Sequence, residues 1–203
     1  MKKFIRFLLI LFLLIALVVI YARYGGTEGL KTKEYTIETK DIATTFDGIK
    51  IVHFSDLHYL RVTNKNKLKQ IVEEINLINP DIVFFTGDLV NNLTNEVRDY
   101  QDIFSKVKAP LGVYSTLGNH DYGDYYFGKE KSVARTRNLQ NMIKTHKYMG
   151  WDLLMNEHRR LKVNGEEIGI LGVENWGMGR FPKYGKMDLA YQNTAELPVK
   201  LLL

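Results

Sequence analysis

Three stretches of this chain run from a block of apolar residues straight into acids, histidines or amides: Phe54-Ser55-Asp56-Leu57-His58, Gly87-Asp88 and Gly118-Asn119-His120-Asp121. The blocks leading into them, Gly48 to Phe54, Ile82 to Thr86 and Leu111 to Leu117, read as strands. Of these, Ile82 to Thr86 is the short, fully apolar kind expected of a parallel sheet covered on both faces. Between the first two lies helical spacing from Asn64 to Ile78, with Leu68, Ile71, Val72, Ile75 and Ile78 on one stripe and Asn79-Pro80 as the stop. Between the second and third, Thr94 to Val107 predicts another helix with Thr94 as its N-cap. The order βαβαβ predicts a layered α/β domain. All three polar segments then fall at the carboxyl edge of one sheet, where open α/β folds bind ligands.

The remainder is organised around that unit. Phe7 to Ala22 is unbroken apolar or aromatic sequence, and with Phe4 and Ile5 it reaches the roughly twenty residues that cross a bilayer. No small-x-small cleavage site follows it, and Tyr21 and Tyr24 suit an interface, so a signal anchor is favoured over a cleaved signal peptide. Lys2, Lys3 and Arg6 precede the span, which predicts a single-pass protein of the cell membrane with its large domain outside the cytoplasm. The expected division is residues 1–24 as anchor, 25–31 as linker and 32–203 as the α/β domain. Thr32 to Thr39 alternates and predicts an edge strand. Arg137 to Met149 predicts a third helix. Asp152 to Met155, Arg159 to Val163, Ile168 to Val173 and Val199 to Leu203 predict strands, with a hairpin turn at Asn164-Gly165 and a short helix over Met187 to Asn193.

The side chains define a chemistry. Residues i and i+2 of an extended strand point the same way, so Asp56 and His58 are expected to grip one metal together. Asp88 offers two carboxylate oxygens, enough to bridge two cations about 3.5–4 Å apart, and Asn119 offers an amide oxygen to the second. Two divalent cations, two carboxylates and a hydroxide leave about +1, which attracts a phosphate ester. The expected reaction is hydrolysis by a metal-bound hydroxide, with His120 as general acid and Asp121 accepting a hydrogen bond from it to set its tautomer. Mixed Asp, His and Asn ligation suits manganese, iron or zinc better than calcium.

Taken together and in this order, FSDLH, GDLV and GNHD resemble the first three blocks of the calcineurin-like metallophosphoesterases, in particular the membrane-anchored bacterial branch. The resemblance covers about Thr32 to Leu203. It implies that Asp56 and His58 bind the first metal, Asp88 bridges, Asn119 binds the second and His120 is the acid. It favours a phosphodiester over a monoester, with a UDP-diacylglucosamine-type lipid precursor as the alternative substrate. The family's two later blocks, Gly-His and Gly-His-x-His, are not matched: only His146 and His158 follow His120, and no glycine precedes either. The chain is therefore expected to be a C-terminally truncated domain that holds at most one metal weakly and has little activity, or else an inactive membrane-anchored remnant.

Other readings are narrower. Net charge is +5, and taking away Lys2, Lys3 and Arg6 leaves +2, too mild for a nucleic-acid partner. There is no cysteine, so disulfides and thiolate chemistry are excluded. No phosphate-cradling glycine loop of kinase or dinucleotide type and no serine-nucleophile motif is present. The aromatic loop Tyr122 to Gly128, including Tyr125, either contacts substrate or packs on itself. Trp176 and Arg180, in the glycine-rich loop that follows Val173, are candidate substrate contacts, Arg180 as a fork onto phosphate. His53, His146 and His158 are expected to be structural.

Overall fold

A computed structural model describes residues 2–24, 30–58, 65–128, 132–179 and 181–203. It divides into two compact units, Met1–Glu38 and Thr39–Leu203. The first holds α1 (Lys2–Tyr24), a helix long and apolar enough over Lys2–Ala22 to be a candidate membrane span. The segment 30–38 that follows in this unit has no regular structure, and Tyr35 and Ile37 are exposed. The edge strand expected over Thr32 to Thr39 is therefore absent. Alternation alone does not make a strand; a ladder partner is needed, and neither sheet pairs with this segment.

The second unit is built on β1 (Ile51–Phe54), β2 (Ile82–Phe85), β3 (Val113–Ser115) and β4 (Asp152–Leu153), parallel throughout and adjacent in sequence order. The register sets Phe54 beside Phe85 and Phe85 beside Ser115, so three strands end level. Successive β2 side chains serve opposite faces, as a period of two requires. Val83 and Phe85 join the core under α2 (Lys65–Ile78) and α5 (Val133–Tyr148), with Leu68, Val72, Met142 and Trp151. Ile82 and Phe84 join a second core with Tyr114, Leu154, Ile168 and Ile170. That core lies against a mixed sheet of β5 (Glu157–Val163), β6 (Glu166–Gly172) and β7 (Lys200–Leu202). Asn164 and Gly165 both take positive φ, 49° and 93°, as the two-residue hairpin between β5 and β6 demands. The architecture is the expected layered α/β fold: helices, parallel sheet, mixed sheet.

Residues 94–107 do not form one helix. A 3-10 turn, Thr94–Val97, is followed by the single-turn α3 (Gln101–Phe104). The carboxylate of Glu96 accepts the backbone N–H groups of Asn91, Asn92 and Leu93, which folds the start of the segment back on itself. Thr94 does not cap; its hydroxyl donates to the carbonyl of Asn138 in α5. Two further short helices, α4 (Asp124–Phe127) and α6 (Met187–Tyr191), complete the unit.

Candidate metal centre

Past their last residues β1, β2 and β3 stay laced together: Asp56 N–H donates to Gly87 O (3.0 Å), His58 N–H to Asp88 O (3.0 Å) and Thr116 N–H to Phe85 O (2.9 Å). This brings the three polar segments to one edge. Gly87 and Gly118 touch backbone to backbone there. A Cβ on Gly87 would stand 2.1 Å from Gly118 N, and one on Gly118 would stand 2.2 Å from Asp88 Oδ1. No side chain fits at either position, so these glycines set how closely the second and third segments approach.

Asp56 and His58 come together by a route other than the expected one. Neither is extended: φ is 55° at Asp56 and 39° at His58, and 59° at Asp88. The seven described non-glycine residues with positive φ are these three and four asparagines. Asparagine, aspartate and histidine are the non-glycine types most often found in that region, where a non-glycine residue still pays about 1–3 kcal/mol, and such residues cluster at functional sites. The left-handed turns bring His58 Nε2 to 3.6 Å from Asp56 Oδ1 and 3.5 Å from Asp88 Oδ2. Ligand atoms of His58, Asp88 and His120 all lie within 4.8 Å of one another. The rings of His58 and His120 meet edge to face with centroids 4.6 Å apart.

This donor set fits a divalent cation. Two ligands about 2.1 Å from one ion at a tetrahedral angle stand about 3.4 Å apart, which is close to the observed His58–carboxylate separations. Asp88 Oδ1 meanwhile accepts His120 N–H (2.9 Å), leaving Oδ2 turned to His58. Asn119 Nδ2 donates to the Tyr125 hydroxyl (2.7 Å), which leaves its amide oxygen unengaged by that contact.

Asp121 does not touch the His120 ring. It is fully buried, and its two oxygens accept the N–H groups of Asp88 (2.8 Å), Leu89 (2.9 Å), Val90 (3.2 Å) and Gly118 (3.0 Å). Burial, and then the charge of Asp88, push its carboxyl up to about 7, against the pull of the Gly118, Val90 and Asp88 N–H groups. It pins the second segment to the third. The tautomer of His120 is set by a backbone carbonyl: Nδ1 lies 2.6 Å from Asn91 O, and since a carbonyl only accepts, Nδ1 carries the proton and Nε2 is left for chemistry. Nothing in the sequence around Asn91 signals this.

A second polar network braces the rim. Asp124, at the start of α4, is buried and accepts from Arg135 Nε (2.6 Å) and the Tyr184 hydroxyl (2.5 Å). Glu174 accepts from the Tyr122 hydroxyl (2.9 Å) and from Asn156 Nδ2. The rings of Tyr122 and Tyr184 lie 4.1 Å apart. The sequence marks this aromatic loop but not its partners, which lie up to 60 residues away. Trp176 stands exposed on the loop that Glu174 anchors, and Arg180 lies outside the described residues. His146 is fully buried with Nδ1 on Ser115 Oγ (2.9 Å), and His53 bonds the Thr86 hydroxyl (2.7 Å); both act structurally.

Comparison with known proteins bears directly on this edge of the sheet. The family model for calcineurin-like phosphoesterases matches residues 49–196, which takes in all three polar segments and both sheets' strands up to β6. The chain belongs to the calcineurin-like phosphoesterase family. It is therefore a member of a hydrolase family that acts on phosphoesters and typically binds divalent metals, and the matched residues include the close group of His58, Asp88 and His120. An uncharacterized metallophosphoesterase of Bacillus subtilis, YkuE, is 37% identical over 168 residues, covering 81% of this chain and 54% of the relative. A transmembrane protein with a metallophosphoesterase domain from Danio rerio is 25% identical, covering 86% and 38%. The UDP-2,3-diacylglucosamine pyrophosphatase LpxG of Chlamydia trachomatis is 39% identical over 79 residues, 38% of this chain and 24% of LpxG. The chain thus spans about half the length of the first of these relatives and less of the others.

Proposed function

We propose that this chain carries the metal-binding part of a membrane-tethered phosphodiester hydrolase with a dinuclear centre. The observation that supports it best is the meeting of Asp56, His58, Asp88 and His120 at the level ends of three parallel strands. In this reading Asp56 and His58 hold one cation, Asp88 is shared, and the Asn119 amide oxygen serves the second. Ions of the manganese, iron or zinc class suit such a mixed oxygen and nitrogen set. Bound there, they would supply Lewis-acid polarisation of the phosphoryl oxygens and an activated water.

The chain's own residues then account for the proton. His120, protonated on both nitrogens, keeps its Nδ1 proton on Asn91 O and presents Nε2–H to the oxygen that leaves phosphorus. As the ester P–O bond breaks, that oxygen takes the Nε2 proton and the ring returns to its neutral, Nδ1-protonated form. Asp121 acts from behind, fixing the backbone of Asp88 and Gly118. Trp176, exposed on the anchored loop, and Arg180 are proposed to meet the remainder of the ester.

A lipid-linked pyrophosphate is the second substrate reading. The likeness to LpxG and the candidate membrane span at Lys2–Ala22 favour it. An anchor with its positive flank inside would place the site at the outer face of the membrane. Assaying bis(p-nitrophenyl) phosphate beside UDP-2,3-diacylglucosamine, with manganese supplied and Asp88→Ala as control, separates the two. Turnover of either substrate that survives in Asp88→Ala would refute the shared-ligand assignment.

A further inference from the structure

Tyr125 is placed as no loop aromatic needs to be. It begins from Gly123, whose φ of 77° turns the chain into α4, and where a Cβ would stand 2.9 Å from Asn138 Nδ2. The next residue, Asp124, is clamped by Arg135 and Tyr184, and Arg135 also donates to the Tyr184 hydroxyl (2.6 Å). With its root held on both sides, Tyr125 reaches back over the third polar segment. Its hydroxyl accepts Asn119 Nδ2–H at 2.7 Å, and its ring lies 4.5 Å from the His120 ring, tilted by 41°. The residue is 49% exposed, so burial of apolar area does not explain where it sits.

We infer that Tyr125 is a positioning residue for two neighbours at once: its hydroxyl fixes the rotation of the Asn119 carboxamide, and its ring fixes the plane of His120. The amide of asparagine has a donor end and an acceptor end, and it can present only one of them to a cation. A partner on Nδ2 commits the oxygen to the other direction. Without that partner the carboxamide rotates about a broad, roughly two-fold torsion, and half of its orientations offer N–H groups to a positive charge. The ring has a separate task. His120 is tethered at Nδ1 by Asn91 O, a single contact that allows the ring to rock. The rings of His58 and Tyr125, with centroids 4.6 and 4.5 Å away, pack against it and confine it. The inference rests on the metal-centre reading above, because it assigns Asn119 to a cation.

The two tasks separate experimentally. Tyr125→Phe removes the hydroxyl and keeps the ring; Tyr125→Leu removes both. Manganese binding to the full chain, followed by electron paramagnetic resonance of free ion, is expected to weaken about 10- to 100-fold for the Asn119-dependent ion in both variants, the usual effect of losing an outer-shell partner. At saturating manganese, kcat on an aryl phosphodiester should fall in both variants, and further in Tyr125→Leu, which also frees the His120 ring. Thermal unfolding of Tyr125→Phe should match wild type, so a weakened fold does not account for the change. Wild-type manganese affinity in Tyr125→Phe would overturn the role of the hydroxyl while leaving the centre intact. A wild-type chain that binds no manganese would overturn the centre itself and this role with it.

Discussion

Gly87 and Gly118 make the most exacting test of the site's geometry. Replacing Gly87 by Ala costs twice. Its φ of 95° lies in the left-handed half of the map, worth about 1–2 kcal/mol against any L side chain. The new Cβ would also stand 2.1 Å from Gly118 N, 2.5 Å from its Cα and 2.8 Å from Leu117 C, all backbone atoms that cannot rotate away. Ordinary contact begins near 3.4 Å, so the second and third polar segments must part by roughly 1 Å, at about 1–3 kcal/mol. The sum is about 2–5 kcal/mol. Gly48 supplies the reference: its φ is 72°, but a Cβ there meets nothing within 4 Å, so Gly48→Ala carries the first cost alone. Urea unfolding of both variants in the same detergent, followed by fluorescence of the buried Trp151, should separate them by about 1–3 kcal/mol. Because a displacement of about 1 Å at a reacting centre can cost on the order of 100-fold, hydrolysis should fall far more in Gly87→Ala. If the two variants lose equal stability and Gly87→Ala binds manganese as tightly as wild type, the close approach does not shape the centre.

Two histidines, His120 and His146, can be tested in the same way. His120→Ala should lower kcat by about 10²–10⁴ while manganese stoichiometry stays unchanged; loss of an ion together with activity would make His120 a ligand instead of the proton donor. His146, fully buried, has its pKa lowered to about 3 by desolvation, so it is neutral in the fold and takes up a proton only when unfolded. A depressed folded pKa means that its contribution is complete above the ordinary value of 6.5 and is lost as pH falls from there towards 3, at about 1.4 kcal/mol per pH unit and about 5 kcal/mol in all. Unfolding free energies measured from pH 7 to 4 should therefore fall less steeply in His146→Leu than in wild type; parallel curves would refute this.

What could be read from the sequence and what could not divides along a physical line. The parallel strands and their level ends follow from apolar runs such as Ile82 to Phe85, whose burial is decided by side chains alone. The hairpin at Asn164-Gly165 follows from two residues that accept positive φ. Features that depend on distant partners were hidden. Thr32 to Thr39 alternates like a strand but has no neighbour to pair with. Residues 94–107 carry helical spacing, yet Glu96 bonds back to 91–93 and the run breaks. At the centre, residue types were legible and conformations were not. Asp56 and His58 meet through left-handed turns that an extended reading of Phe54 to His58 excludes. As the sequence neighbour of His120, Asp121 reads as its partner, whereas its hydrogen-bond partners include N–H groups 31 to 33 residues away.

The left-handed backbone at Asp56, His58 and Asp88 carries a liability. Glycine at any of these positions would relieve a torsional penalty, so a search for more thermostable versions guided by folding alone would be drawn to the very residues proposed to hold the ions. Robustness and turnover pull against each other at these three positions, and engineering for heat tolerance should hold them fixed and look elsewhere in the chain.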